Sequence, residues 1–205
     1  MRNLVYLFLF LTISIQSQTK MSSSEAHALK SLVKEQALTT KTIFSDFTQY
    51  KHLDFLTNDI ITKGKLAFKT PNLVKWEYTE PYKYTVLFKN ETLYINDEGK
   101  KNEVDIGSNK LFKQLNSLII NSIKGDMFDD DAFHIMYYKT DKNSLVHFIP
   151  KDKKSSKYID AFHITFNAKG DVLEVKMIEP SRDFTKIVFT NKELNKPLSD
   201  AVFTN

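Results

Sequence analysis

Val74, Trp76 and Tyr78 alternate with Lys75, Glu77 and Thr79. One side of this extended segment is apolar and the other is polar, the period of an antiparallel strand with one face in a core and one in water. The same pattern recurs through most of the chain. Phe44 to Leu53 and Asp59 to Lys69 form a first pair joined near Leu56-Thr57-Asn58. After Pro81 come Tyr84-Val86-Phe88, a turn at Asn90-Glu91, then Leu93-Tyr94-Ile95, a turn at Asp97-Glu98-Gly99 and a weaker strand at Lys101 to Ile106. Strands return at Phe133-Ile135-Tyr137, Val146-Phe148, Phe162-Ile164-Phe166, Leu173-Val175-Met177 and Ile187-Phe189. Turn residues separate them, and the basic run Lys151 to Lys157 reads as a hairpin loop. About eleven short strands in hairpin order, without crossover helices, predict a single antiparallel sheet, curled or closed.

Two segments break the period. Ser22-Ser23-Ser24-Glu25 is a capping box, and Ala26, Leu29, Val33, Gln36 and Ala37 follow at helical spacing. Later Leu111, Phe112, Leu115, Leu118, Ile119 and Ile123 trace one helix face that stops at Gly125. This second helix reads either as a fixed cap or as a movable lid.

Residues 1–17 read as a signal peptide, with Arg2 before the apolar run Leu4 to Ile15 and a cleavage zone ending at Ser17. The run is too short for the roughly 20 residues that span a bilayer. No cysteine is present to carry a lipid anchor, so residues 18–205 are expected to be one soluble exported domain in the periplasm. A formal charge of +4, spread along the chain, does not favour nucleic acid. Neither G-x-G-x-x-G, G-x-x-x-x-G-K-[ST] nor G-x-S-x-G occurs, so nucleotide and serine-hydrolase chemistry lack their usual frames.

Sixteen phenylalanines and nine tyrosines against one tryptophan form an aromatic surplus that the strand parity locates. Leu66, Phe68, Val74, Trp76, Tyr78, Val86, Phe88, Phe133, Ile135, Phe148, Phe162, Ile164 and Phe166 fall on one common side. That side is either a packed core or the lining of a cavity for acyl chains, and two helices hardly cover so many strands. His134, His147 and His163 fall on the opposite side, with His147 and His163 placed to sit across from each other. They read as cross-strand pairs ahead of a metal site, because no short-spaced ligand motif accompanies them. Asp126, Asp129, Asp130 and Asp131 lack calcium-loop spacing and read as a solvated loop. No metal or cofactor is expected.

Phe47-Thr48-Gln49, then Gly64-Lys65-Leu66-Ala67-Phe68-Lys69-Thr70-Pro71, then Trp76-Glu77-Tyr78 and Pro81 together resemble the LolA family of periplasmic outer-membrane lipoprotein carriers. Asn90 to Asp97 and the segment from Ile187 through Asn195 to Phe203 fit the same pattern. The resemblance implies a mainly β fold with helices: an incomplete, strongly curved antiparallel β-barrel whose apolar concave face is covered by helices. It implies no enzyme activity, but carriage of acylated lipoproteins by a monomer. Cargo would pass from an inner-membrane lipoprotein-releasing ABC transporter to an outer-membrane acceptor. The sequence departs from the family at Thr70, where many members carry an arginine that holds the lid closed. Lys69 beside it has the wrong strand parity to substitute. That departure keeps a second reading open, a related binding protein for a free lipid, a glycolipid or a lipid-linked pigment precursor.

Overall fold

A computed structural model describes residues 18–89, 92–105 and 126–204. Both the segment expected to be a signal peptide and the helix expected over Leu111 to Ile123 lie outside the described residues. Helix α1 spans Ser23–Thr39, and its capping box is formed as the sequence predicts: Ser22 and Glu25 each cover the other's backbone N–H. Twelve strands follow one another in space: β1 (Thr19–Lys20), β2 (Thr42–His52), β3 (Ile60–Lys69), β4 (Leu73–Glu80), β5 (Tyr84–Lys89), β6 (Thr92–Asp97), β7 (Lys100–Asp105), β8 (Phe133–Lys139), β9 (Ser144–Pro150), β10 (Ala161–Phe166), β11 (Val172–Ile178) and β12 (Phe184–Leu194). Eleven match the hairpins read from the sequence. The twelfth, β1, is too short to carry a period, and it pairs with β8 at one sheet edge.

The order β1-β8-β9-β10-β11-β12-β2-β3-β4-β5-β6-β7 is one antiparallel sheet. Two runs of consecutive hairpins, β2 to β7 and β8 to β12, meet where β12 pairs with β2 from Phe184–His52 to Leu194–Ile43. Among the described residues its edge strands β1 and β7 are not joined to each other, so the barrel is open, as the fold class predicts. Register shifts at Lys63/Gly64, Thr165/Phe166 and Thr190/Glu193 interrupt the ladders. Each adds residues to one strand, bending it and increasing the local twist.

Strand parity sorts the side chains as expected. On the concave side of β2 to β6, Phe47, Leu66, Phe68, Val74, Trp76, Val86 and Leu93 form one buried cluster together with Ile187. On the other half Val146, Phe148, Phe162, Ile164, Phe166, Val175 and Met177 pack with Leu29 and Val33 of α1. Phe189 on β12 touches both clusters and bridges them. The aromatic surplus is concentrated here: Phe47 meets Trp76 and Tyr78 edge-on, with centroids 5.0 and 5.1 Å away, and Phe128 packs against Phe148 and Phe166. The Phe47 pairs add to simple burial by directing ring edges onto ring faces, while Phe128 lies tilted on Phe148 and stacked on Phe166.

The convex side is not bare. A short 3-10 helix, Asp200–Phe203, lies over β3 and β5, where Phe203 is buried with Ala67 and Leu87. Lys69 faces the same way, donating to Asp200 at 2.6 Å and to the Leu198 carbonyl at 3.2 Å. Its parity is therefore the one read from the sequence, away from the concave face.

Also convex, His147 and His163 are direct cross-strand partners, as their spacing predicts. The rings stack with centroids 3.6 Å apart and planes 11° from parallel. His134 is opposite Ile149 instead, and no group of three or more metal-ligating side chains occurs among the described residues. The acidic stretch serves structure: Asp129 accepts two turn N–H groups, and Asp130 pairs with Lys30 of α1 at 2.9 Å.

Burial, His147 and Lys176 push the His163 imidazole down to about 4, and burial lowers His147 as well. Both rings are neutral at pH 7, but in an unfolded chain they take up protons near pH ~6.5. Below that value the unfolded state binds more protons than the folded one. Stability is therefore expected to stay level above about pH 6.5 and to fall as the pH drops toward about 4. His163→Phe should flatten most of this acid limb, read as urea midpoints between pH 7 and 4.5. An unchanged limb in that variant would assign the loss to other groups.

Candidate functional site

An apolar cleft follows from how α1 meets the sheet. Leu29 and Val33, one turn apart, bury the first part of the helix against β9 to β11. Beyond them the same face carries Gln36 and Ala37, which are only half covered. There the helix leaves a narrow cleft of about 70 Å³ between itself and the concave sheet. That is below the roughly 300–1,000 Å³ of small-molecule sites, so a guest of that size requires the helix to move back from the sheet.

The walls of this cleft are chiefly apolar. Ile43 and Leu66 come from β2 and β3, Val172 and Val175 from β11, Phe189 and Leu194 from β12, and Val33 and Ala37 from the helix. They meet because β11, β12, β2 and β3 are neighbours in the sheet, with Val175 opposite Ile187 and Leu194 opposite Ile43. The polar groups are few: Gln36, Thr40, Asp171 and Lys192. Thr40 is spent on the end of α1, its hydroxyl donating to the Gln36 carbonyl at 2.7 Å. Asn195 closes the same corner, accepting from the Lys41 N–H at 2.7 Å and donating to the Thr39 carbonyl.

Of the thirteen residues predicted to line a cavity, Leu66 lines this cleft. Phe68, Val74, Trp76, Val86, Phe148, Phe162, Ile164 and Phe166 are buried in the two clusters behind it. Tyr78, Phe88, Phe133 and Ile135 pack against those clusters and remain partly exposed. All thirteen share the concave side. The six predicted lid positions, Leu111, Phe112, Leu115, Leu118, Ile119 and Ile123, lie outside the described residues.

The sequence reading passed over Ile43, Val172, Val175, Phe189 and Leu194, although Val175 and Phe189 have the right parity. Lys192 was beyond that rule, because a register shift precedes it.

Not every polar group of the concave face is paired: the buried Thr62 and Tyr137 hydroxyls have no hydrogen-bond partner among the described residues. Tyr78 donates to Gln49 Oε1 at 3.1 Å, and burial with the nearby Tyr84 pushes its phenol up to about 12, so it remains a donor. A second depression, at the β4–β6 end, is bounded by Glu77, Thr79, Lys83, Asn96 and Glu98 among others. Such a rim offers little to a hydrocarbon chain. Thr70 donates its backbone N–H to the Lys41 carbonyl at 2.9 Å. The chemistry the cleft suits is non-covalent: an apolar group against the walls, with a polar end at Lys192, Asp171 and Gln36.

Residues 38–205 match the family model of the outer membrane lipoprotein carrier protein LolA. A search of curated proteins finds no match. Among solved structures, a DUF1329 family protein from Desulfovibrio piger has a TM-score of 0.51 at 13% identity, covering 87% of this chain and 96% of that one. Lipoprotein LppX of Mycobacterium tuberculosis has a TM-score of 0.50 at 6% identity, with coverage of 87% and 99%. MucB has a TM-score of 0.54 at 10% identity, and the chain covers 64% of its length. At these identities the likeness is one of fold. Among the described residues no helix is long and apolar enough to cross a membrane.

Proposed function

The chain belongs to the LolA family of outer membrane lipoprotein carriers, and on that footing we propose that it is a periplasmic carrier for the acyl chains of lipoproteins. Residues 1–17 would direct export and 18–205 would form the carrier. The observation that carries this reading is the apolar cleft between α1 and the open side of the sheet. Each methylene transferred from water to such walls contributes about 0.8 kcal/mol. Several methylenes therefore offset part of the cost of leaving a membrane. No bond is made or broken in this function, so rapid return of the cargo depends only on how the cleft opens. An inner-membrane lipoprotein-releasing transporter would supply the cargo and an outer-membrane acceptor would receive it.

Purification from its native envelope followed by mass spectrometry is the test. Triacylated lipoprotein eluting with the protein supports the carrier reading. Free lipids alone would move it to a second reading, a binding protein for a free amphiphile. Thr70 favours that second reading, since its hydroxyl cannot supply the charge-assisted bonds of an arginine at this position. A solution measurement locates the cargo. Trp76 is the only tryptophan and lies directly across from Leu66 of the cleft wall. A bromine-labelled palmitate bound in the cleft is expected to quench at least half of its fluorescence. Binding without quenching would place the chain away from this part of the concave face.

A further inference from the structure

Lys192 occupies its place because of the break in β12. The ladder to β2 runs regularly to Thr190–Asp46 and resumes at Glu193–Phe44, leaving Asn191 and Lys192 unpaired between them. Asn191 takes a positive φ of 51° and turns its amide to the convex side, donating to Asp46 Oδ2 at 2.8 Å. The next residue is thereby sent through to the concave side, the re-aiming that bulges commonly perform beside functional sites. There the Lys192 stem runs past the Phe189 ring, with the ammonium 5.9 Å from its centroid, and the side chain joins the cleft lining.

Among the described residues the ammonium has unused capacity. One N–H goes to the Val172 carbonyl, and an ammonium has three. No ion pair to Lys192 occurs among the described residues. The nearby Asp171 carboxylate is engaged elsewhere, accepting from Gln36 Nε2 at 3.4 Å and from Asn167 Nδ2 at 3.0 Å. Burial lowers the Lys192 pKa and Asp171 only partly opposes this, so the cleft holds a cation at some cost. A half-buried cation among apolar walls is best matched by a ligand with an anionic end.

We infer that Lys192 is the headgroup contact of the cleft, selecting amphiphiles whose polar end is an oxyanion, a carboxylate or a phosphate ester, while the acyl chain lies against Ile43, Leu66, Val175 and Phe189. This rests on the acyl-binding reading above and adds to it a preference among lipids.

The test uses the delipidated full chain and three probes of equal chain length: palmitate, hexadecyl phosphate and hexadecanol. Titration calorimetry is expected to show at least one of the two anions binding ten-fold or more tighter than the alcohol. The tighter anion identifies the source, fatty acid or phospholipid. Lys192→Met, which keeps the aliphatic stem, should erase that preference, bringing the anions down to the affinity of hexadecanol in the same variant. Lys192→Arg should retain it. Equal affinities in the wild-type protein, or a preference surviving in Lys192→Met, would overturn the inference while leaving acyl binding intact. Binding of none of the three would overturn acyl binding and this inference together. The wild-type comparison among probes requires no variant to fold.

Discussion

Gly64→Ala is expected to cost about 3 kcal/mol or more, enough to lower the urea midpoint severely. A Cβ at this position would lie 2.2 Å from the Glu77 carbonyl oxygen and 2.7–2.8 Å from two ring atoms of Phe47. Neither neighbour can retreat cheaply. The carbonyl belongs to the β3–β4 pairing, at the register shift between Lys63 and Gly64. The Phe47 ring is buried and held edge-on by Trp76 and Tyr78. Gly64 and Phe47 face each other across β2 and β3, so the ring occupies the space that a glycine leaves open. Phe47→Leu in the Gly64→Ala background should recover only part of the loss, because the carbonyl contact remains. A Gly64→Ala protein with the wild-type urea midpoint would show that the strands separate more easily than this packing allows.

Ala37→Trp is expected to abolish acyl binding with little change in melting temperature. Ala37 sits on the half-covered end of α1 and faces the cleft, so an indole added there fills empty space and not packed core. Excluding about five methylenes forfeits roughly 4 kcal/mol, a several-hundred-fold loss of affinity. The contrast with Trp76→Glu is instructive. Trp76 is 5% exposed and packed in a cluster, so a charge there would unfold the protein and report nothing about cargo. Unaltered palmitate binding by a folded Ala37→Trp protein would remove the cleft as the acyl site.

The strands were legible because alternation over six or more residues ties each side chain to a face, and burial then fixes the register. The capping box made the start of α1 equally plain. Lys192 was not legible, since parity fails after a bulge and nothing in the sequence around Asn191 announces one. Phe203, Met127 and Ile159 are buried but lie outside the strands, where no period marks an isolated apolar residue. The cleft itself depends on where α1 comes to rest. Periodicity identifies the apolar stripe of a helix, but not how far along that stripe contact with the sheet extends.

The seam between β2 and β12 sets an order of events during biosynthesis. Each half-sheet is a run of sequence-adjacent hairpins, contacts that close quickly because little chain entropy is lost. The seam instead joins residues near 42–52 to residues near 184–194, and the cleft straddles it: Ile43 and Leu66 come from one half, Val175 and Leu194 from the other. A nascent chain can therefore assemble both halves and still have no place for a guest. The cleft is complete only when β12 reaches β2, so a chain cut short before β12 cannot form it.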